Sequence, residues 1–143
     1  MRYLNLPALT GLLFLMVTFT ACDVQVSTAN IGDAWMSADS NGEIKTTIFS
    51  EDSIFYAQVD LKNAPPETKV KAVWLTVEVE GEEPDSQIAE YEITTASNLI
   101  NFKLSLDSLW PVGTYRVDIY LNDKFDRSLK FEVQATPNIE EVE

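Results

Sequence analysis

The sequence has no histidine and only one cysteine among its 143 residues. Without an imidazole it has no histidine-based triad, no histidine general base and no ordinary zinc or haem site. One cysteine excludes an internal disulfide and a thiolate cluster. Basic residues are also few, 10 Lys and Arg against 23 Asp and Glu, which gives a net charge of −13. This balance excludes the clustered positive charge that nucleic-acid binding requires.

Motifs of covalent and general acid catalysis are absent too. The sequence contains neither G-x-S-x-G nor S-x-x-K, two motifs that position a serine nucleophile. A glycosidase needs two carboxyl groups in a cleft that raises the pKa of one of them, and no pattern distinguishes one pair among 23 acids. We therefore expect a protein that is not an enzyme and that has no cofactor and no dedicated metal site.

The longest apolar run lies near the N-terminus. Residues 1–21 contain one positive side chain, Arg2, no acidic residue, and an unbroken apolar core over residues 12–17. A positive start, an apolar middle and a few small residues make up a secretory signal peptide. The small residues lead directly to Cys22, the only cysteine.

The quartet Phe19-Thr20-Ala21-Cys22 resembles the lipobox of bacterial lipoproteins. Phe19 departs from the leucine most often found there but keeps its apolar character. The resemblance covers residues 1–22 only, and it implies cleavage before Cys22 and lipidation of that cysteine. It also implies an anchor in the bacterial cell membrane or outer membrane, with the following domain on the periplasmic or extracellular side. In some Gram-negative bacteria, an aspartate such as Asp23 at the next position accompanies retention at the inner membrane.

Three other interpretations of this segment are an ordinary signal peptide, an uncleaved membrane helix and a buried cysteine of no consequence. The last does not explain why the only cysteine directly follows a Thr-Ala pair at the end of the apolar run. Residues 3–21 barely reach the roughly 20 residues that a bilayer core requires, and Asn5, Pro7 and Gly11 interrupt them. A free thiol is a liability for a secreted protein, and lipidation consumes it. Since two or more acyl chains anchor stably, a lipidated Cys22 would hold the chain on the membrane without a spanning helix.

After the signal peptide we expect one domain between two polar ends. Residues 22–30 would form a short lipidated tether, residues 31–134 the domain, and residues 135–143 an acidic tail. Cleavage removes one basic and no acidic residue, so the mature net charge would be about −14.

Within residues 31–134 the apolar side chains recur with a period of two, which predicts β-strands. The run 69–80 has two apolar faces, typical of a central strand, with Val70, Ala72 and Trp74 on one and Val73, Leu75, Val77 and Val79 on the other. The run 88–94 has the weaker pattern of an edge strand. No window shows a helical stripe. The predicted strands are 31–38, 53–61, 69–80, 88–94, 99–106, 114–122 and a last one containing Leu129, Phe131 and Val133.

Seven short strands in about 100 residues are typical of a β-sandwich with Greek-key connections. Trp110-Pro111-Val112-Gly113 predicts a type I turn, and Tyr115 opens the next strand. With Trp74 in the long strand, this region resembles the cysteine-free immunoglobulin-like or fibronectin-III-like domains of bacterial surface proteins. The resemblance implies an all-β immunoglobulin-like sandwich of about seven antiparallel strands, a core position for Trp74, and a Tyr115 hydroxyl that bonds back to the backbone.

Two acidic segments are candidate cation sites. Residues 37–42, Ser-Ala-Asp-Ser-Asn-Gly, have the oxygen spacing of the start of a calcium loop. The twelfth position is Ile48 where such loops have glutamate, so a turn is the favoured interpretation. The densest acidic patch lies around Gly81, where several carboxylates could meet a cation or a basic partner, although a solvated loop is the simpler interpretation. Its members are Glu78, Glu80, Glu82, Glu83 and Asp85.

Aromatic residues are the last candidates. Tyr56, Tyr120 and Phe125 fall on outward or loop positions, where aromatic rings can bind sugars or peptides. The three tryptophans, Trp35, Trp74 and Trp110, are expected in the core or at its corners.

The sequence thus predicts a membrane-anchored, non-catalytic interaction module that binds a protein or a polymer. Two alternative functions stay open at this point. One is a structural subunit of an envelope assembly that pairs through residues 88–94 or the final strand. The other is a divalent-cation-binding domain that uses its acidic loops.

Overall fold

The computed structural model describes residues 27–137, which form eight β-strands. The predicted signal peptide, Cys22 and parts of the predicted tether and tail lie outside these residues. No helix in residues 27–137 is long and apolar enough to cross a bilayer. The strands are β1 (Asn30–Ser37), β2 (Ile48–Ser50), β3 (Phe55–Lys62), β4 (Thr68–Val79), β5 (Gln87–Thr95), β6 (Leu99–Leu104), β7 (Gly113–Leu121) and β8 (Lys124–Gln134).

The strands form two sheets of unequal size. One has three strands in the order β1-β3-β6, and the other has five in the order β2-β8-β7-β4-β5. Neighbouring strands are antiparallel except β2 and β8, which are parallel. A single core forms between the sheets, so the molecule is a β-sandwich and the predicted fold class is confirmed.

The period of two in the sequence accounts for this core. In β3 the side chains of Phe55, Ala57, Val59 and Leu61 are all fully buried. Facing apolar side chains come from β4, β7 and β8 of the other sheet. Because burying one large apolar side chain contributes about 1.5–3 kcal/mol, these alternating positions fix which face of each strand is inside.

Aromatic rings cluster around Phe55. Its ring centroid lies 4.5 Å from Trp110, 4.7 Å from Phe131 and 5.0 Å from Phe49. Trp74 stacks at 6.5 Å and is fully buried, as predicted. Pairs at these separations gain dispersion and quadrupole energy beyond their area burial, so this cluster is a principal source of core stability.

The prediction for Trp35 was wrong. Ala34 and Met36 occupy the core side of β1, so the alternation turns Trp35 to the outer face, where it is only half-buried. There its indole Nε1 donates a hydrogen bond to the Gly42 carbonyl oxygen at 2.9 Å, and Lys45 Nζ lies 4.2 Å from its ring centroid.

The long strand β4 is central, between β7 and β5, and residues 88–94 lie in the edge strand β5, both as predicted. The pattern placed Val79 with Val73 and Leu75, and this was wrong. An irregularity between Thr76 and Glu78 shifts the register against β7, so Val79 belongs to the core.

Two further strand predictions need correction. The three-residue β2 was missed because it is too short to show a period, and its parallel pairing with the end of β8 is a long-range contact. Strand β6 ends at Leu104, two residues before the end of the predicted strand 99–106, and Leu106 is exposed. Asn122 and Asp123 join β7 to β8, with both residues at positive φ as in a two-residue hairpin.

Candidate functional site

The edge strand β5 presents apolar side chains that the opposite sheet does not cover. Ala89, Tyr91 and Ile93 pair in register with three core residues of β4 and therefore lie on the same inner face. The core residues are fully buried, yet Tyr91 is 46% exposed and Ile93 42% exposed. Since one sheet has five strands and the other three, β5 extends beyond the opposing sheet, whose last strand is β6.

The outer face of β5 is acidic. Glu90 and Glu92 are exposed and alternate with the apolar residues. On β4, Lys71 pairs with Glu92 and Lys69 with Thr94, so two lysines lie beside this face. Lys69 Nζ forms its ion pair with Asp123 at 2.7 Å, and Lys71 Nζ lies 4.7 Å from the Tyr120 ring centroid. The other side of β5 has no neighbouring strand among residues 27–137.

A groove opens at the start of β5, against the segment that joins β6 to β7. Its volume is about 390 Å³. The exposed side chains of Ile88, Leu106 and Leu109 line it, together with the buried Trp110 and Tyr115. Three exposed apolar residues around one concave surface form the kind of patch that binds ligands or proteins. We call Gln87–Thr95 together with this groove the β5 surface.

The wall of the groove is held by a tyrosine corner. The Tyr115 hydroxyl donates a hydrogen bond to the Pro111 carbonyl oxygen at 2.6 Å, as the resemblance implied. Trp110 donates its backbone N–H to the Glu51 carbonyl at 2.7 Å and its indole N–H to the Ser53 carbonyl at 2.9 Å. Burial, and secondarily the negative charge of Glu82, raises the pKa of Tyr115 to about 12.

The chain bends at the predicted turn, and the turn is an open one. Residues 110–113 bend, but among the described residues no backbone hydrogen bond from Gly113 to Trp110 closes them. Long-range bonds hold the corner instead. Gly113 starts β7, where a Cβ atom would collide with the carbonyl oxygen of Glu78 and lie 3.0 Å from Val79 Cα. Gly113 is therefore required by the close approach of two strands.

The acidic patch lies at the same end of the sandwich as the groove. All five of its carboxylates are on exposed residues, and Asp85 forms an ion pair with Arg116 of β7. Arg116 also binds Asp118, at 3.1 Å between Nε and Oδ1. The bond to Asp85, and then Asp118, raises the pKa of Arg116. Within residues 27–137, no three acidic side chains are placed to hold one metal ion.

The segment predicted to be either a turn or a calcium loop forms a turn. The Asp39 carboxylate accepts hydrogen bonds from the backbone N–H groups of Ile44 at 2.7 Å and of Asn41 and Glu43 at 3.2 Å. These bonds, that of Ile44 above all, lower the pKa of Asp39. The carboxylate oxygens of Asp39 thus accept hydrogen bonds from the backbone of the turn itself.

The same turn buries a residue that the sequence did not single out. Gln58 lies on the outer face of β3 yet is fully buried, because the turn folds over it. Its Nε2 donates to Ser37 Oγ at 3.2 Å and to the Ser40 carbonyl at 3.3 Å. A polar residue at an outward strand position is normally exposed to solvent, so the alternation of apolar and polar residues did not predict that Gln58 is buried.

The three candidate aromatic residues do not form one site. Tyr120 and Phe125 pair across the β7–β8 hairpin, with ring centroids 5.7 Å apart. Tyr56 lies in β3 of the other sheet, on its outer face. The most exposed apolar side chains along β5, which include Tyr91, were not among the residues that the pattern selected.

Comparison with known proteins adds the fold. No family model matches the sequence, and no curated protein is detectably similar to it. A crystal structure of an immunoglobulin-like protein from Pseudomonas aeruginosa matches with a TM-score of 0.52 and 15% sequence identity. The match covers 74% of this chain and 96% of that one. The fold is an immunoglobulin-like β-sandwich.

The immunoglobulin-like topology explains why β5 is uncovered. A constant-type domain pairs a four-stranded sheet with a three-stranded one. Here β1, β3 and β6 correspond to three strands of the four-stranded sheet, and residues 27–137 provide no fourth strand beside β6. The opposite sheet has β5 as an additional edge strand. The missing strand would lie across from β5, so its absence leaves Tyr91 and Ile93 exposed.

Proposed function

We propose that this protein is a lipid-anchored interaction module of the bacterial cell envelope, held by Cys22, whose immunoglobulin-like domain binds a protein or polymer partner without catalysing a reaction. The observation that carries the proposal is the β5 surface. Exposed apolar side chains on a rigid sheet edge, next to an apolar groove, are a typical surface for binding a partner.

The position of this surface in the domain supports the proposal. Thr28 Oγ1 donates to the Asn63 carbonyl at 3.2 Å, so the chain enters the sandwich at the end where β3 leads to β4. From Thr68 at this end, β4 runs 12 residues to Val79, a length of about 40 Å. The groove and the acidic patch lie at the far end.

The short tether and the charge distribution would both favour one orientation of the domain relative to the membrane. Eight residues can span at most about 26 Å, so a lipid on Cys22 would keep the entry end of the domain near the bilayer. Glu80, Glu82 and Glu83 lie at the opposite end and are exposed. Because membrane surfaces are usually anionic, repulsion would favour an orientation in which the acidic end and the groove point away from the membrane.

Two measurements test this proposal. Cys22→Ser should abolish acylation and release the chain from membranes. A photo-crosslinking residue at Leu109 in the groove should capture a reproducible partner in native membranes, whereas the same residue at Asn63, near the entry end, should not. Unchanged membrane association of the serine variant would refute the anchor, and equal products from both positions would refute the binding role of the groove end.

A further inference from the structure

The free edge of β5 is long, and from Ala89 to Thr95 its register with β4 is regular; the one irregularity lies at Ile88, between Gln87 and Ala89. Its nine residues, Gln87–Thr95, contain no proline, lysine, arginine or glycine. Such residues, together with strong bulges, normally prevent another chain from pairing with an edge strand. The backbone N–H and C=O groups on the side away from β4 face no other strand within residues 27–137. This edge is therefore a template for one more strand.

The charge of β5 selects against a second copy of the same chain. Antiparallel pairing of two β5 strands would bring Glu90 and Glu92 of both copies onto one face. Like charges placed opposite each other on neighbouring strands are destabilising, and each chain has a net charge of −13. A strand with basic residues on that face would instead gain from the same two carboxylates.

On its paired side, β5 lies beside a strand in which lysines alternate with apolar residues. There β5 pairs with Lys69-Val70-Lys71-Ala72 of β4, in which lysines lie on the acidic face and apolar residues on the inner face. The free side of β5 presents the same two faces. A strand added there would place apolar side chains beside Tyr91 and Ile93 and basic side chains beside Glu90 and Glu92.

We infer that the partner contributes an extended segment, in which apolar residues alternate with lysine or arginine, and that this segment adds to the edge of β5 as the sixth strand of the larger sheet. The inference rests on the proposed function and specifies the chemistry of the partner. Backbone hydrogen bonds would supply much of the affinity, and the two faces of β5 would supply the specificity.

The test uses the full chain in detergent and a capped nine-residue peptide of alternating valine and lysine. We expect the peptide to bind and to slow hydrogen exchange of the amides in Gln87–Thr95. A valine–glutamate peptide should bind at least about tenfold more weakly, because two attractive pairs become repulsive. A valine–lysine peptide with alternate N-methylated amides should also lose about tenfold, since it cannot complete the ladder.

Charge reversal supplies the matched variants. Glu90→Lys with Glu92→Lys should reverse the preference, so that the valine–glutamate peptide binds better than the valine–lysine peptide. Glu43→Lys with Glu132→Lys makes the same change in net charge at exposed positions away from β5 and should keep the original preference.

Three outcomes would overturn the inference. Equal weakening in both double variants would show that binding follows net charge alone. Peptide-dependent protection confined to β8, which pairs with β2 only at residues 132–134, would place the site elsewhere. A dimer with protected β5 amides in the absence of peptide would make a second copy the occupant. None of these results bears on the anchor or on crosslinking at Leu109, so the proposed function and this inference can fail separately.

Discussion

The tyrosine corner allows a quantitative test of the packing described above. Tyr115→Phe keeps the buried ring, which stacks on Phe131 with 5.6 Å between centroids, and removes only the hydroxyl that binds the Pro111 carbonyl. Pro111 is exposed, so water can partly replace the lost donor. We expect a loss of about 1–2 kcal/mol in the free energy of unfolding. For a domain of this size, that corresponds to a fall of roughly 5–10 °C in Tm.

The assay is urea unfolding followed by tryptophan fluorescence, with Tyr120→Phe as the matched control. Tyr120 is half-buried in β7 of the same sheet, and its hydroxyl has no hydrogen bond to another described residue. Removing it should change stability by less than about 0.5 kcal/mol. If the two variants were equally stable, the hydrogen bond from Tyr115 to Pro111 would contribute nothing measurable, and it would not hold the groove wall.

The stability difference between the wild type and Tyr115→Phe should depend on pH in the alkaline range. The pKa of Tyr115 rises from its ordinary value of 10.0 to about 12 in the folded protein, so the folded state holds the phenol proton more tightly than the unfolded chain. Its contribution to stability is therefore complete below about pH 10 and is lost as the pH rises toward 12. The stability difference between wild type and Tyr115→Phe should narrow across this window. A constant difference would contradict the assignment of that pKa to burial.

Three further variants test the strand approach, the aromatic core and the turn. Gly113→Ala should lower the free energy of unfolding by about 1–3 kcal/mol, because the new Cβ would collide with the Glu78 carbonyl oxygen. A urea midpoint equal to that of the wild type would contradict this. Phe55→Ala should cost about 3–5 kcal/mol in the same assay, whereas Phe125→Ala, at an exposed position, should cost far less; similar losses would contradict the packing. The pKa of Asp39 in the folded protein is below its ordinary 3.8, so the free energy of unfolding should fall as the pH drops through that lower value. Asp39→Asn should reduce this loss of stability at acidic pH. An unchanged pH dependence would count against the hydrogen bonds of the turn.

Local sequence patterns predict much of this fold. Alternation of apolar and polar residues is enough to predict most strands, because each strand must bury one face. A second apolar face correctly places β4 in the centre, and a weak pattern correctly places β5 at an edge. Tyr115 and its hydroxyl bond follow from a short motif whose contact lies only four residues away. The lipidation of Cys22 rests wholly on sequence and stays a prediction.

Tertiary structure decided what depends on distant partners. The parallel pairing of β2 with β8, the register shift that buries Val79, and the turn that covers Gln58 all involve residues far apart in the chain. The β5 surface has the same origin. Tyr91 and Ile93 have the alternation of buried residues, and they are exposed because the opposite sheet has no strand to cover them. A strand pattern specifies which side chains share a face, whereas the number of strands in the facing sheet decides whether that face is buried.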